Sequence, residues 1–307
     1  MTTLLYTHDV FGAHGVPPGH VEHAGRYASV ERALSTDEFS SLERRAPPLI
    51  GAREIELVHP ERYRQVIEEN APRDGLAQFD ADTFMGPFSL EAARRGAGGA
   101  VAAVGAIFAG EADSAFVAAR PPGHHAEPGR AMGFCFFNNA AIAAISARAH
   151  GARRVAVVDF DVHHGNGTEA AFWDDEDAFF ASSHEWPQYP GTGRESDRGA
   201  FDNVVNAPLQ TGTDGADFQK VWGDRILPAL SDFDPDLIVI SAGFDAHVAD
   251  PLGGLRLTEN DFAWVTEKIR QVARDKANGR VVSVLEGGYD LAALGLCAAA
   301  HVKTLMA

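Results

Sequence analysis

Short apolar runs alternate with longer segments of helical character along most of this chain, and this alternation limits the fold more than any other feature. The runs are rich in β-branched or aromatic residues and are predicted to be strands: Leu4–Asp9, Ala115–Ala119, Val155–Asp161, Ala178–His184, Val204–Pro208, Leu237–Ser241 and Val281–Leu285. Strands that alternate with helices form βαβ units, which build a mainly parallel sheet with helices on both faces. The sequence therefore predicts an α/β fold.

The segments between these runs predict the covering helices: Arg26–Leu34, His59–Asn70, Ser89–Ala109, Asn139–His150, Asp217–Leu230 and Thr258–Lys276. Ser89 and Thr258 are predicted to cap their helices, since a hydroxyl can accept a hydrogen bond from the first turn. The glycine-, proline- and histidine-rich segment from Val10 to Gly25 predicts a long loop of the kind that often carries function. No linker, repeat or low-complexity tract interrupts the chain, so we expect residues 1–307 to form a single domain.

The composition limits which partners the protein is expected to bind and in which cellular compartment it is expected to occur. The net charge of −17 argues against direct binding to nucleic acid or to an anionic membrane, and it would attract cationic substrates. The chain has two cysteines, Cys135 and Cys297, which fits a reducing compartment without a disulfide framework. No signal peptide or membrane-spanning run is evident, so we expect a soluble cytoplasmic protein.

Polar side chains follow four of the predicted strands at the point where each strand ends. They are His124 and His125, then Asp159, Asp161 and His163, then Asp245, and finally Tyr289. Because parallel strands bring their carboxyl ends to one edge of a sheet, we expect these groups to converge there. Polar residues at the ends of four strands are hard to explain by a purely structural role, so they predict a catalytic site.

Asp161, His163 and Asp245 are the candidate ligands of a divalent cation. Three protein ligands leave coordination positions open, as a catalytic metal site requires. Carboxylate and imidazole ligands suit Zn²⁺, and they are also compatible with Fe²⁺, Co²⁺ or Mn²⁺. A metal there would acidify a bound water and polarise a carbonyl group. His124 and His125 would transfer protons, and the Tyr289 hydroxyl would stabilise a developing oxyanion.

Six motifs, in order along the chain, resemble those of the zinc-dependent histone deacetylase family. They are Arg120–His125, Gly133–Asn139, Asp159–Thr168, Tyr189–Gly193, Ser241–His247 and Leu285–Tyr289. The Asn-Gly-Thr sequence at 166–168 and the Leu-Glu-Gly-Gly-Tyr sequence at 285–289 are similar to class II and bacterial members. The resemblance implies a single-domain arginase-deacetylase fold around an eight-stranded parallel sheet.

The same resemblance implies roles for the residues of the site. It implies Zn²⁺ binding by Asp161, His163 and Asp245. It also implies that His125 acts first as general base and then as general acid, and that Tyr289 is the transition-state tyrosine.

The two histidines would have different partners, with Asp159 orienting His124 and Asn166 orienting His125. An anionic partner favours the imidazolium form of His124, whereas a neutral amide leaves His125 available as a base near pH 7.

Two further groups of residues follow from the resemblance. Phe134 and Tyr189 match the aromatic pair that lines the substrate tunnel, and we add Gly133 and Leu252 to the predicted substrate-binding residues. A structural monovalent cation, usually K⁺ in the family, would be bound mostly through main-chain carbonyls of Asp159, Asp161, His163, Ser182 and Ser183.

The N-terminal segment departs from the family pattern. His20–Arg26 lacks the proline pair that members commonly have there, so the mouth of the tunnel is expected to be unusual. Arg26 matches an arginine of the family's internal pocket, although an exposed helical position fits equally well. Asp82 lies near the position of a rim acid, but a solvated loop position is the preferred interpretation.

Acetyl-lysine side chains and acetylpolyamines are the competing substrates within the family. The polyamine-selective branch has a rim glutamate after an Asp-Pro pair, whereas Asp250-Pro251 is followed here by Leu252. We therefore favour acyl-lysine proteins or peptides over small cationic N-acyl amines. An arginase-like ureohydrolase would need more acidic ligands, and a non-catalytic acyl-lysine binding module would not need Tyr289 or both histidines. The sequence does not distinguish a monomer from a homo-oligomer.

Overall fold

The computed structural model describes all residues, 1–307, and has a central sheet of eight parallel strands. The strands are β1 (Thr3–Tyr6), β2 (Glu43–Arg45), β5 (Ser114–Val117), β6 (Val155–Asp159), β7 (Ala178–Glu185), β8 (Val204–Leu209), β9 (Leu237–Ala242) and β10 (Val281–Leu285). Their order across the sheet is β2-β1-β5-β10-β9-β6-β7-β8. A separate antiparallel pair is formed by β3 (Ala77–Gln78) and β4 (Phe84–Met85).

Helices cover both faces of this sheet: α1 (Val10–Ala13), α2 (Gly25–Ala33), α3 (Ala52–Ile55), α4 (Glu61–Glu69), α5 (Ser89–Phe108), α6 (Asn139–Ser146), α7 (Asn166–Phe172), α8 (Gly215–Val221), α9 (Leu227–Phe233), α10 (Glu259–Lys276) and α11 (Leu291–Met306). Short 3₁₀ turns lie at Asp37–Phe39 and Ala147–His150, and a π-helical turn at Trp222–Ile226 joins α8 to α9. No helix is both long enough and apolar enough to cross a membrane.

The middle strands are mostly apolar because both faces of the sheet are covered. In β6, Ala156 and Val158 belong to one hydrophobic cluster, and the alternate residues Val155 and Val157 belong to another. The first cluster includes apolar side chains of α10 and α11, and the second includes the small residues of α5 and α6. This packing confirms the predicted parallel sheet with helices on both faces.

Several elements differ from the sequence-based expectation. The first strand ends at Tyr6, and the predicted loop after it contains α1. Strand β2 was not predicted because Glu43–Arg45 is a polar edge strand without an apolar run. Helix α11 and the β3–β4 pair were also missed.

Of the two predicted helix caps, one is correct and one is wrong. Thr258 caps α10 in a reciprocal arrangement with Asp261. Ser89 is instead the first residue of α5, and its hydroxyl accepts hydrogen bonds from the main-chain N–H groups of Gly15 and Gly86. Ser89 therefore connects two loops and does not cap the N-terminus of α5.

Candidate active site

The four strands that carry the predicted site residues lie side by side in the sheet, in the order β5-β10-β9-β6. Within β6, Asp159 is in register with Ser241 of β9 on one side and with Ser182 of β7 on the other. The segments that leave these strands at their carboxyl ends therefore start from adjacent positions. This arrangement explains how residues between His124 and Tyr289 in the chain share one site.

Asp161, His163 and Asp245 form a buried cluster whose donor atoms all lie within 4.8 Å of one another. Nδ1 of His163 is 3.1 Å from Oδ1 of Asp161 and 3.2 Å from Oδ2 of Asp245. Both carboxylates therefore face the same ring nitrogen. One imidazole and two carboxylates make a donor set that suits a divalent transition metal.

The hydrogen bonds of these carboxylates support a cation site. Asp161 accepts a hydrogen bond from the N–H of Gly287 at 2.8 Å, and Oδ1 of Asp245 accepts one from Val162 at 2.9 Å. Oδ2 of Asp245 is buried but accepts no hydrogen bond. A buried carboxylate oxygen without a donor is costly unless a cation neutralises it, so the cluster fits a metal ion.

Close approach of the main chain explains one glycine at this cluster. A Cβ atom on Gly287 would lie 2.0 Å from Oδ2 of Asp245 and 2.6 Å from Oδ2 of Asp161. Any larger residue at position 287 would displace the carboxylates.

The charges of the cluster act on each other strongly because the site is buried. Burial favours a neutral His163, but the nearby carboxylates of Asp161 and Asp245 raise its pKa to about 10. Burial also opposes ionisation of Asp161, yet the positive charges of His124 and His163 hold its pKa below the usual range.

His124 and His125 lie with ring centroids 4.0 Å apart but have different partners. Nδ1 of His124 is 2.9 Å from Oδ2 of Asp159, whereas Nδ1 of His125 is 2.8 Å from the amide oxygen of Asn166. Burial lowers the pKa of both rings, but the carboxylates of Asp161 and Asp159 reverse this for His124 and raise its pKa. The pKa of His125 stays low, because the positive charges of His124 and His163 add to burial.

Glu286 holds the segment that carries the two histidines, a contact that the sequence analysis missed. Its buried carboxylate accepts hydrogen bonds from the N–H groups of Gly123 at 2.6 Å and His124 at 3.1 Å. Burial raises the pKa of Glu286 to about 7, although the charge of His124 opposes this shift. The sequence feature that could have revealed this role is an acidic residue directly after the apolar run of β10.

Tyr289 is held by its main chain and by two neighbouring side chains. Its N–H donates to Asp250 at 2.6 Å, and its ring packs edge-on against Phe134 with centroids 6.0 Å apart. The guanidinium of Arg26 lies 5.0 Å from the centre of the Tyr289 ring. Arg26 is fully buried, and it donates to the main-chain oxygens of Gly288 and Glu286. The interior position is therefore the correct one for Arg26.

A second buried acid, Glu22, was also missed by the sequence analysis. Its carboxylate contacts Arg120 at 2.5 and 2.8 Å, Arg26 at 2.9 Å and Nε2 of His14 at 3.3 Å. Burial opposes its ionisation, but the charge of Arg120 keeps the pKa of Glu22 well below its usual value. This ion cluster ties the His20–Arg26 segment to the segment that leads into His124.

A cavity of about 460 Å³ opens above the metal-ligand cluster. His125, His163 and Tyr289 form part of its wall, and it also contains all four predicted substrate-binding residues, Gly133, Phe134, Tyr189 and Leu252. The Tyr189 ring lies edge-on to His125, with centroids 5.1 Å apart. Gly133 has φ = +55°, and a Cβ atom there would lie 2.4 Å from the His125 ring. The reactive groups are thus reached through an aromatic channel.

The His20–Arg26 segment and Asp82 shape the mouth of this cavity. The His20 ring is edge-on to Phe134 at 4.9 Å, and its Nε2 lies 3.0 Å from the main-chain oxygen of Asp82. Asp82 lies in the loop between β3 and β4, as expected, but it is half-buried and lines the cavity rather than being fully solvated. Burial and the neighbouring Asp80 raise the pKa of Asp82 to about 6. Gln188 was not predicted, and it also lines the mouth.

The residues predicted to bind a monovalent cation lie on the adjacent strands β6 and β7 or follow β6 directly. The Ser182 hydroxyl is 2.9 Å from Nδ1 of His184, and the Ser183 hydroxyl accepts a hydrogen bond from Trp222 at 2.9 Å. Both hydroxyls are therefore engaged within the protein. A cation there would depend on main-chain carbonyls.

This chain is similar to known proteins both in sequence and in structure. Residues 20–305 match the family described as "Histone deacetylase domain". The chain is 39% identical over 299 residues to a histone deacetylase-like amidohydrolase of Pseudomonas aeruginosa, covering 94% of this chain and 78% of that protein. It is 40% identical over 297 residues to a probable deacetylase of Methanothermobacter thermautotrophicus, covering 94% and 86% of the two chains. The crystal structure of the HDA15 HD domain superposes with a TM-score of 0.94 at 32% identity, covering 99% of this chain and 88% of that one.

Proposed function

Because this chain belongs to the histone deacetylase family, whose members hydrolyse amides, we propose that it removes acetyl or other acyl groups from lysine side chains of proteins or peptides. One observation carries the proposal. His125, Tyr289 and His163 of the metal-ligand cluster all border one channel with aromatic walls. Such a channel suits a long, thin side chain that ends in an amide.

We assign Asp161, His163 and Asp245 as ligands of a divalent cation, which we propose is Zn²⁺, with Fe²⁺ or Co²⁺ as alternatives. The buried and unpaired oxygen of Asp245 supports this assignment. A cation bound there would polarise the amide carbonyl and lower the pKa of a water molecule.

His125 is proposed to take the proton of the attacking water and then to protonate the leaving amine. Its lowered pKa supports the first role, since a base must be neutral at the working pH. Asn166 orients the ring without adding negative charge. His124, paired with Asp159, is proposed to remain protonated and to stabilise the negative charge that develops nearby.

Tyr289 is proposed to donate a hydrogen bond from its hydroxyl to the oxyanion of the tetrahedral intermediate. Burial raises the pKa of Tyr289 well above its usual value, so the hydroxyl keeps its proton at neutral pH. The contacts to Arg26, Phe134 and Asp250 restrict where this side chain can point. A fixed donor is more effective than one that must reorient during the reaction.

Phe134 and Tyr189 are proposed to form the two walls of the channel, with Gly133 at its base and Leu252 at its rim. An apolar residue at position 252 cannot pair with a distal ammonium group, which favours acyl-lysine peptides. Gln188 donates to the main-chain oxygen of Leu252 at 3.2 Å and so supports the same rim.

An acetylpolyamine or another small cationic N-acyl amine is the second candidate substrate, and the position of Asp82 favours it. The mouth of the channel contains one half-buried carboxylate, which could pair with a distal ammonium. In a peptide substrate the same carboxylate would accept main-chain N–H groups. The Asp82→Asn variant should therefore affect the two substrates to different extents.

The deciding experiment compares the metal-loaded enzyme on an acetyl-lysine peptide and on an acetylated diamine, with acetate release as the readout. We expect a higher kcat/KM for the peptide. The reverse preference would replace the first candidate by the second, and folded, metal-loaded protein inactive on both would reject deacetylation. Metal analysis separates the ureohydrolase alternative, which would need two ions per chain rather than one.

We further propose that K⁺ binds the main-chain carbonyls of Asp159, Asp161, His163, Ser182 and Ser183 as a structural cation. The site residues are proposed to belong to one deacetylase domain that spans residues 1–307. The two free, buried cysteines support a reducing compartment such as the cytoplasm.

A further inference from the structure

A second cavity, of about 600 Å³, lies at the amino-terminal edge of the sheet, opposite the candidate active site. Its wall includes Phe108 at the end of α5, Ser114 at the start of β5, Val281 at the start of β10 and Leu305 of α11. This volume falls in the range of about 300–1,000 Å³ that small-molecule sites occupy. None of the catalytic residues described above contributes to it.

Three arginines line this cavity. Arg270 and Arg274 are four residues apart on α10 and so lie on one face of that helix, and Arg280 directly precedes β10. Arg270 is buried, Arg280 is half-buried and Arg274 is exposed. The cavity thus presents guanidinium groups from two elements.

The three arginines have fewer carboxylate side chains as partners than there are arginines. Arg270 and Arg274 share the one carboxylate of Glu267, at 3.1 and 2.7 Å, and Arg270 also donates to an oxygen of Ala307 at 2.8 Å. Arg280 has no carboxylate partner, and the only hydrogen bond of its side chain, at 3.3 Å, goes to the main-chain oxygen of Asp236. Burial and the positive charge of Arg274 lower the pKa of Arg270, against the opposing effect of Glu267.

Arg280 is nevertheless held in place. Its guanidinium lies 4.5 Å from the centre of the Phe108 ring, which is stacked in turn on His150 with centroids 5.9 Å apart. A planar guanidinium that is fixed by an aromatic ring keeps most of its N–H donors free for a ligand. The acid in the cavity wall, Asp113, is already bonded to the N–H of Thr2 at 2.7 Å.

We propose that this cavity binds a small organic anion through its phosphate or carboxylate groups, with Arg274 and Arg280 as the principal ligands. Guanidinium groups match both kinds of anion with paired hydrogen bonds. The apolar side chains of Phe108 and Leu305 suit the carbon skeleton of such a molecule. The net charge of −17 disfavours a polyanion such as nucleic acid, which the protein as a whole would repel.

The proposal is tested by isothermal titration calorimetry of the full chain with sodium pyrophosphate and, in a separate arm, with citrate, both at low ionic strength. We expect saturable binding of at least one anion. The Arg274→Gln and Arg280→Gln variants should each weaken it about tenfold or more, since a charge-assisted contact is lost. Arg274 is exposed and Arg280 is half-buried, so these variants should fold.

The matched control is Arg153→Gln, because Arg153 also precedes a strand at this edge of the sheet but its side chain is 75% exposed and outside the cavity. Binding by this variant should equal that of the natural protein. Binding of pyrophosphate alone identifies a phosphate ligand, and binding of citrate alone identifies a carboxylate ligand. Absence of binding for both anions at millimolar concentration, or equal affinity in the cavity variants, would overturn the proposal.

Discussion

At the scale of single residues, the site combines groups whose protonation is set by their immediate partners. His124 and His125 are adjacent in the chain and equally buried, yet one faces a carboxylate and the other an amide. The opposite directions of their pKa shifts follow from this difference and from the charge that His124 itself adds. A single pair of neighbouring histidines can therefore serve two functions at one pH.

Removal of the Tyr289 hydroxyl tests its proposed part in catalysis. The Tyr289→Phe variant should lower kcat by about 10²–10³ with little change in KM, because the lost hydrogen bond forms only in the transition state. Steady-state kinetics on an acetyl-lysine peptide give the measurement. Tyr27→Phe, at a tyrosine outside the cavity, is the control and should keep the natural kcat. An unchanged kcat in Tyr289→Phe would exclude the hydroxyl from the mechanism.

Replacement of one ligand carboxylate tests the metal assignment. Asp245→Asn keeps the oxygen that accepts from Val162 but removes the negative charge, so the dialysed protein should lose nearly all of its bound metal. Elemental analysis should find about one ion per chain in the natural protein, as a mononuclear site requires. The exposed Asp232→Asn variant should retain its metal. Full retention by Asp245→Asn would disprove the assignment.

At the scale of elements, a buried ion cluster connects the N-terminal segment His20–Arg26 to the segment that follows β5. Glu22 comes from the loop before α2, and Arg120 comes from the segment after β5. Both side chains are inaccessible to solvent. The mouth of the channel therefore owes its shape to a buried ion pair that lies beneath it.

The Glu22→Gln variant tests this attachment. It leaves the guanidinium groups of Arg120 and Arg26 buried without their carboxylate, which should cost about 3–5 kcal/mol of unfolding free energy. Urea unfolding followed by circular dichroism gives the measurement. The exposed Arg198–Asp202 pair supplies the control, since Asp202→Asn should leave the unfolding midpoint unchanged. A similarly small effect of Glu22→Gln would mean that apolar packing holds the segment.

The elements that could be predicted from the sequence are those with a strong local pattern. β6 and β9 each begin with four apolar residues in a row, and the polar residues at and after their ends mark the site. β2 could not be predicted, because an exposed edge strand such as Glu43–Arg45 has no apolar pattern. The partnership of Glu22 with Arg120 spans 98 positions, so no local pattern could reveal it. Arg26 and Asp82 remained ambiguous for the same reason, since burial depends on distant segments.

At the scale of the whole molecule, three buried histidines are held in the neutral form. They lie in separate parts of the fold, and burial lowers the pKa of His59 to about 4 and the pKa values of His184 and His301 to about 3. His301, for example, is enclosed between the hydroxyls of Thr266 and Ser283 at 2.6 and 2.7 Å. Each ring would take up a proton more readily in the unfolded chain than in the folded protein.

This difference predicts a loss of stability in acid. Above about pH 6.5 the rings are neutral in both states, whereas below it the unfolded state binds more protons and is favoured. At pH 5 each histidine should lower the unfolding free energy by about 2 kcal/mol relative to pH 7. Urea unfolding at both pH values measures the effect.

The His59→Gln variant identifies one part of this acid sensitivity. Glutamine can replace both hydrogen bonds of His59 but does not titrate, so the variant should lose about 2 kcal/mol less between pH 7 and pH 5. His23→Gln, at an exposed position, should retain the full pH dependence. Equal pH dependence in His59→Gln would show that His59 is not a source of the acid sensitivity.

The position of β10 in the sheet has a consequence for biosynthesis. It is the last strand in the chain, yet it lies in the middle of the sheet, between β5 and β9. While a ribosome is still making the C-terminal segment, β5 and β9 both have an unpaired edge, and such edges invite pairing with other chains. The nascent protein must therefore be kept from aggregating until β10 inserts, and only then can Tyr289 reach the two histidines.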